Sequence, residues 1–192
     1  MILFLGSLCD RLYKSMLTFL REDIRRYQGR EGEAIAVTLA KATYSHPSSV
    51  GVVWYRISRA LWLRRKNPLC LPLYVLARLL YPLVRGYSGV ELGPTAQIGP
   101  GLWIGHFGPT VLHPETKAGR NLTLLQGVTI GGGTGGIPTL GDDVSVGAGA
   151  TLIGGIHLGN QVTVGAGAVV TKDIPDNHLA LGIPAKALPR EA

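Results

Sequence analysis

The chain has 192 residues, 46% of them hydrophobic, and a net charge of +7, which is enough material for two packed units with their own cores. Two cysteines are too few for a disulfide framework, and at this length neither a disulfide nor a metal staple is required. The positive charge is one-sided, with 14 Lys and Arg against 5 Asp and Glu in residues 1–85 and 5 against 7 in 86–192, yet no groove-reading or base-stacking motif accompanies it, which argues against a nucleic-acid binder.

The first unit, 1–85, reads as an α-helical domain. Polar and apolar residues alternate at helical spacing from Leu12 to Tyr27, and the segment holds only four glycines. Helices are expected over about 3–28, 31–45, 48–65 and 69–85, with His46-Pro47-Ser48 and Lys66-Asn67-Pro68 as breaks. The clusters Arg25-Arg26 and Arg64-Arg65-Lys66 suit an anionic membrane surface, an acidic polymer or plain water. Leu69 to Val84 is apolar but too short to span a bilayer, and Pro72, Arg78 and Pro82 interrupt it. Met1 to Leu5 lacks the basic flank and cleavage site of a signal peptide. Cys9 and Cys70 sit in apolar surroundings and read as packed thiols. The chain is expected in the cytoplasm, with contact to the inner face of the membrane left open.

The second unit, 86–192, keeps a different time. From Leu140 an aliphatic residue returns every sixth position, at Val146, Leu152, Leu158, Val164 and Val170. Backward in sixes the register meets Val128, Leu122, Ile104, Ile98 and Leu92 and fails at Thr134, Thr116 and Thr110. A period of six is that of a hexapeptide parallel β-helix, in which the aliphatic residue points inward, the next glycine turns the corner, and a small or β-branched residue fills in four positions later. Three hexapeptides make one triangular coil. An α-helical reading fails on the period and on 23 of the 27 glycines falling in this half. The solenoid is expected to begin near Gly86. Two segments break its rhythm: Ile104-Gly-His-Phe-Gly-Pro-Thr110, where His106 replaces a small corner residue, and Gly131–Pro138, a glycine-rich loop.

Five stretches in this half, VELGPTAQIG over 90–99, IGH over 104–106, LQGVTIGG over 125–132, VGAGA over 146–150 and ALGIPAK over 180–186, resemble the serine acetyltransferases in order and spacing. The resemblance covers 86–188 and reaches more weakly into the helical unit through DI at 23–24 and VWYRI at 53–57. It implies a left-handed β-helix and acetyl transfer from acetyl-CoA to a hydroxyl, with no metal. His106 matches the family's catalytic histidine. An alcohol is a poor nucleophile at neutral pH, so a positioned imidazole must take its proton as it attacks the thioester. Glu91 falls where the family carries an aspartate that holds this histidine, as the acid does in hydrolase triads. The resemblance also implies coenzyme contacts at Gly132, Ala148 and Ala166 in a groove between subunits, a phosphate contact at Lys186, and a homotrimer or a dimer of trimers. His46, His113, His157 and His178 have no comparable support, and a three-histidine metal site lacks a third partner at suitable spacing.

The acceptor is where the chain leaves that pattern. The family's Arg-His before the proline of the glycine-rich loop is here Gly136-Ile137, and its aspartate before the catalytic histidine is here Gly105. Losing ionic partners for a zwitterion costs discrimination. The stretch from Ile98 to Gly108 resembles a subgroup tied to exopolysaccharide and capsule synthesis, so the expected acceptor is a sugar hydroxyl, with Trp103 and Phe107 flanking His106 as stacking platforms; Trp103 suits packing against a helix equally well. Serine is the alternative acceptor, supported by the overall resemblance and by Glu31 as a stand-in for a family acid in the helical unit. A non-catalytic scaffold is a third reading.

Overall fold

The computed structural model describes residues 16–27 and 35–190. Glu31 and Cys9 lie outside the described residues. Among the described residues four helical segments precede the solenoid: α1 over 16–25, α2 (Ile35–Ser45), α3 (Ser48–Leu63) and α4 (Cys70–Ser88). Cys70 is a free thiol at the start of α4. The last helix runs three residues further than expected. Gly86 is tolerated inside it, and the stop comes at Gly89, whose φ of 70° lets its N–H close on the Arg85 carbonyl. A side chain at Gly89 would also press on the Gly108 carbonyl, so this position is confined to glycine twice over. The solenoid therefore starts at Val90. No described helix is long and apolar enough to cross a membrane.

Fifteen short strands follow and form three sheets of five, four and six strands, parallel except for the closing hairpin of His178–Gly182 with Ala185–Pro189. The sheets are the three faces of a left-handed β-helix. Inside, each face contributes one ladder of aliphatic residues: Leu92, Leu112, Ile130, Leu152 and Val170 on the first. Ile98, Ala118, Leu140, Leu158 and Ile174 form the second, and Ile104, Leu124, Val146, Val164 and Ala180 the third. Each ladder places like on like, so apolar area leaves water in register along the whole prism.

The pairing also explains the gaps in the six-residue register. Val90 faces Thr110, twenty residues on, Val111 faces Thr129, eighteen on, and Thr129 faces Thr151, twenty-two on. Two extra residues thus enter between Trp103 and Thr110, and four between Thr129 and Thr139. Stepping back from Leu140 by sixes crosses the four-residue insertion and slides onto a neighbouring inward column that includes Val128, Leu122, Thr116 and Thr110, all buried. The two-residue insertion then restores the ladder at Ile104. Thr134 lies in the loop itself.

The hydroxyls of Thr110 and Thr116 are buried without a hydrogen-bond partner among the described residues. Each forfeits its hydration for no return, so Thr110→Val and Thr116→Val are expected to stabilise the protein by about 1 kcal/mol each. A higher urea midpoint at fixed protein concentration reads this directly.

The helical unit caps the open first coil. Strands at the end of a solenoid expose unpaired backbone groups, and side chains from α1 and α3 satisfy them. Tyr55 donates its hydroxyl to the Ala96 carbonyl at 2.8 Å and accepts from the Ile98 N–H at 3.2 Å. Arg59 reaches the Ala96 carbonyl at 2.6 Å, and Arg26 the Gly101 carbonyl at 2.6 Å. Arg26 is therefore a structural cation of the cap rather than part of a solvated patch. At the centre, Arg56 binds both carboxylate oxygens of Asp23 (2.6 and 3.1 Å) and the carbonyls of Ile98 and Gly99 (2.8 and 2.6 Å). Asp23 in turn accepts the Leu102 N–H at 2.7 Å. Burial pushes the Asp23 carboxyl up, against the downward pull of Arg56 and these hydrogen bonds.

Candidate functional site

The corner between the third and first faces is a column with one residue from each coil: His106, Gln126, Ala148 and Ala166. In the later coils the corner is tight, and the Gly167 N–H donates to the Ala148 carbonyl at 2.8 Å. In the first coil the two extra residues open it. His106 adopts φ 57°, a left-handed conformation unusual for a residue with a side chain, and its imidazole stands exposed. No hydrogen bond engages either ring nitrogen among the described residues, so both are open to a ligand.

The wall beside His106 comes from the helical unit. The His46 ring lies 6.5 Å from the His106 ring, centroid to centroid, and packs edge-on against Tyr27 at 5.7 Å. The Tyr27 hydroxyl donates to the Ile104 carbonyl and accepts from the Ile104 N–H, both at 3.1 Å. Burial pushes that hydroxyl up to about 12, so it stays protonated. Ser48, at the start of α3, donates to the same carbonyl at 2.6 Å. The strand leading into His106 is thus held from outside by two hydroxyls. His46 and Tyr27 are site residues that sequence reasoning passes over; the signal available was only a histidine at a helix break, which spacing cannot bring to His106.

Trp103 belongs to this wall and is not a free platform. Its indole packs 6.1 Å from the Tyr27 ring and 6.5 Å from His46, and it covers the backbone of Gly105, where a Cβ would fall inside the indole. Gly105 and Trp103 are therefore one adaptation: an aspartate before His106 has no room here. Phe107 is 59% exposed and lines a shallow groove with Arg85, Gly89, Glu91, Pro109 and Val111. Among the described residues no hydrogen bond joins Glu91 to His106. Its carboxylate pairs with Arg85 at 3.2 Å, because Glu91 points outward from the first face opposite Val111 rather than toward the corner. Both partners are half-exposed, so this pair adds little stability.

The expected coenzyme residues separate into two groups. Ala148 and Ala166 stack on the His106 corner, but Gly132 stands at the other edge of the first face, in the loop between Thr129–Gly131 and Thr139–Leu140. That loop is a short hairpin, closed by Gly133 and Gly136, which exchange N–H to carbonyl bonds of 2.9 and 3.1 Å. Lys186 is exposed on the closing hairpin, opposite Leu181. Gln126, directly beyond His106 in the column, has a buried side-chain oxygen without a hydrogen-bond partner among the described residues. Its place on the corner emerges only once the insertions are counted.

Residues 138–172 match the family described as Bacterial transferase hexapeptide (six repeats). A serine acetyltransferase of Helicobacter pylori is 39% identical over 151 residues, which is 76% of this chain and 84% of that protein. The crystal structure of the Neisseria gonorrhoeae serine acetyltransferase superposes with a TM-score of 0.76 at 26% identity, covering 93% of this chain and 67% of that one. A serine acetyltransferase in complex with CoA superposes with a TM-score of 0.74 at 26% identity, covering 93% and 73%. These relatives overturn the expectation of a saccharide acceptor and of a part in polysaccharide synthesis. The structure supplies a physical reason too, since the indole expected to stack on a sugar is spent on packing. With the fold, the bare corner histidine and these likenesses in agreement, the chain belongs to the serine acetyltransferase family and is an acetyl-CoA-dependent O-acetyltransferase.

Proposed function

We propose that the protein transfers the acetyl group of acetyl-CoA to the side-chain hydroxyl of serine, with His106 as general base. The observation that carries this reading is the 39% identity to a serine acetyltransferase across 84% of that protein's length, on a fold that leaves His106 exposed and without a hydrogen-bond partner among the described residues. His106 takes the hydroxyl proton as the serine oxygen attacks the thioester carbonyl. The tetrahedral intermediate then collapses, the carbon–sulfur bond breaks, and the imidazolium returns the proton to the departing thiolate. Glu91 pairs with Arg85 instead of His106, and these steps need no carboxylate. The test is incubation of the purified protein with acetyl-CoA and L-serine, followed by release of the free thiol and mass spectrometry of the product. O-acetylserine formed in step with free coenzyme supports the reading; no thiol release above the serine-free control removes it.

The coenzyme groove is proposed to form between subunits of a homotrimer, or of a dimer of trimers. Gly132 and the Ala148–Ala166 column lie on different edges of one prism, so a single pantetheine arm meets both only where two prisms adjoin. Small residues at these positions leave room for the arm, and Lys186 supplies a charge for a coenzyme phosphate. Self-association is further supported by α4 and the residue that caps it, which expose Leu69, Leu79 and Leu83 at 78%, 71% and 72%. The double variant Leu79→Glu, Leu83→Glu is expected to shift the mass seen by light scattering from an oligomer to a monomer and to lose acetyl transfer with it. A variant that stays oligomeric and active would place the subunit contact elsewhere.

A further inference from the structure

We infer that His46 is the side chain that recognises the amino group of the acceptor, a step that rests on the proposal that the acceptor is serine. The ring is fixed in place and in tautomer. Its Nδ1 lies 2.9 Å from the Ser45 hydroxyl, and that hydroxyl donates its single hydrogen to the Lys41 carbonyl at 2.7 Å. The Ser45 oxygen therefore accepts from Nδ1–H, since a hydroxyl turned the other way would set two oxygens against each other at that distance. In the neutral ring Nε2 then carries the lone pair, which makes it a hydrogen-bond acceptor. Tyr27 and Trp103 pack against the same ring, so this orientation is not free to relax.

Across from it stands His106, whose ring centroid is 6.5 Å away. A two-carbon amino alcohol lying across the two rings, rather than end to end between them, reaches both, with hydrogen bonds of about 2.8–3.0 Å that splay outward to rings whose centroids are 6.5 Å apart. The hydroxyl hydrogen then points at His106 and an ammonium hydrogen at His46. The ammonium needs such a partner, because the position before His106 is Gly105 and the Trp103 indole occupies the space an acidic side chain would fill. A lone pair on a rigid imidazole supplies the acceptor that this chain lacks there. His46 is thus a specificity-determining residue that touches substrate without taking part in the acyl transfer itself.

The test compares L-serine with 3-hydroxypropanoate, which has the same hydroxyl and carboxylate but no amino group, in the wild-type protein, in His46→Leu and in His46→Gln. His46→Leu keeps an apolar body against Tyr27 and Trp103 and is expected to raise the KM for serine by about 10–100-fold. Its kcat and its KM for acetyl-CoA stay near wild type, and its turnover of 3-hydroxypropanoate is unchanged. His46→Gln, which returns an acceptor oxygen, recovers part of the loss. An equal loss on both acceptors makes His46 a packing residue and overturns the inference, as does an unchanged serine KM in both variants. A wild-type protein that ignores serine removes the underlying proposal and this one with it, and the wild-type arm alone reveals that case.

Discussion

His106→Ala lowers turnover of acetyl-CoA with serine by about 10²–10⁴-fold and leaves coenzyme binding in place. The expectation follows from where the imidazole sits. It is exposed, without a hydrogen-bond partner among the described residues, and carried on a left-handed backbone position, so removing the ring subtracts a base without removing a hydrogen bond that holds the fold. The strand before it is fixed by Tyr27 and Ser48 on the Ile104 carbonyl, and those bonds survive the substitution. Coenzyme affinity, read by calorimetry, is expected to stay near wild type because Ala148, Ala166 and Gly132 are untouched. Added imidazole should restore part of the rate by filling the vacated space. Full activity in the alanine variant contradicts the role assigned to the ring.

Arg56→Leu is expected to cost about 3–5 kcal/mol of stability. The guanidinium is 2% exposed, and its removal strands the Asp23 carboxylate, 1% exposed, along with the carbonyls of Ile98 and Gly99. A buried ion pair contributes less than its contacts suggest, but breaking one side leaves an uncompensated charge, and that penalty is large. The pH dependence has a definite sign. Burial already pushes the Asp23 carboxyl above its ordinary 3.8, and without Arg56 the largest opposing pull is gone. A carboxyl raised in the folded state favours folding while it is protonated and disfavours it as pH climbs through its folded value. The deficit of the variant relative to wild type is thus expected to be smallest in acid and to widen toward neutral pH, as denaturant midpoints across that range will show. The double variant Asp23→Leu, Arg56→Leu should recover much of the loss, since neither charge is then left alone.

The solenoid was legible because its information is local and repeated. Leu140 to Val170 kept the six-residue register with no insertion between them, and each is on an inward ladder. Upstream, the same rule met aliphatic residues for a different reason. The four-residue and two-residue insertions together equal one repeat, so the register returned at Ile104 after running along the neighbouring column, where Thr110 and Thr116 looked like failures and are buried core positions. The candidate site was legible only where a motif marked it. His106 lay inside such a motif, whereas His46, just before α3, is brought beside it by the packing of α3 against the first coil, a long-range event with no period. Glu91 shows the converse limit. Its spacing of fifteen residues from His106 fits one coil roughly, but the side chain alternates outward on its strand and finds Arg85 first. The sugar acceptor expected from Gly105, Gly136-Ile137 and the Ile98–Gly108 stretch fails on long-range grounds, and of the two readings open for Trp103 only its packing onto Gly105, Tyr27 and His46 decides for a ring already in use.

A crystal structure of the protein with coenzyme A bound tests the central claim most directly, namely that a single exposed imidazole at a solenoid corner faces a thioester held between two chains. The account predicts the coenzyme sulfur within hydrogen-bonding distance of His106, or one water away, with the pantetheine arm running along Ala148 and Ala166 of one protomer and past Gly132 of its neighbour. A coenzyme sulfur remote from His106, or a coenzyme bound wholly within one prism, would contradict it.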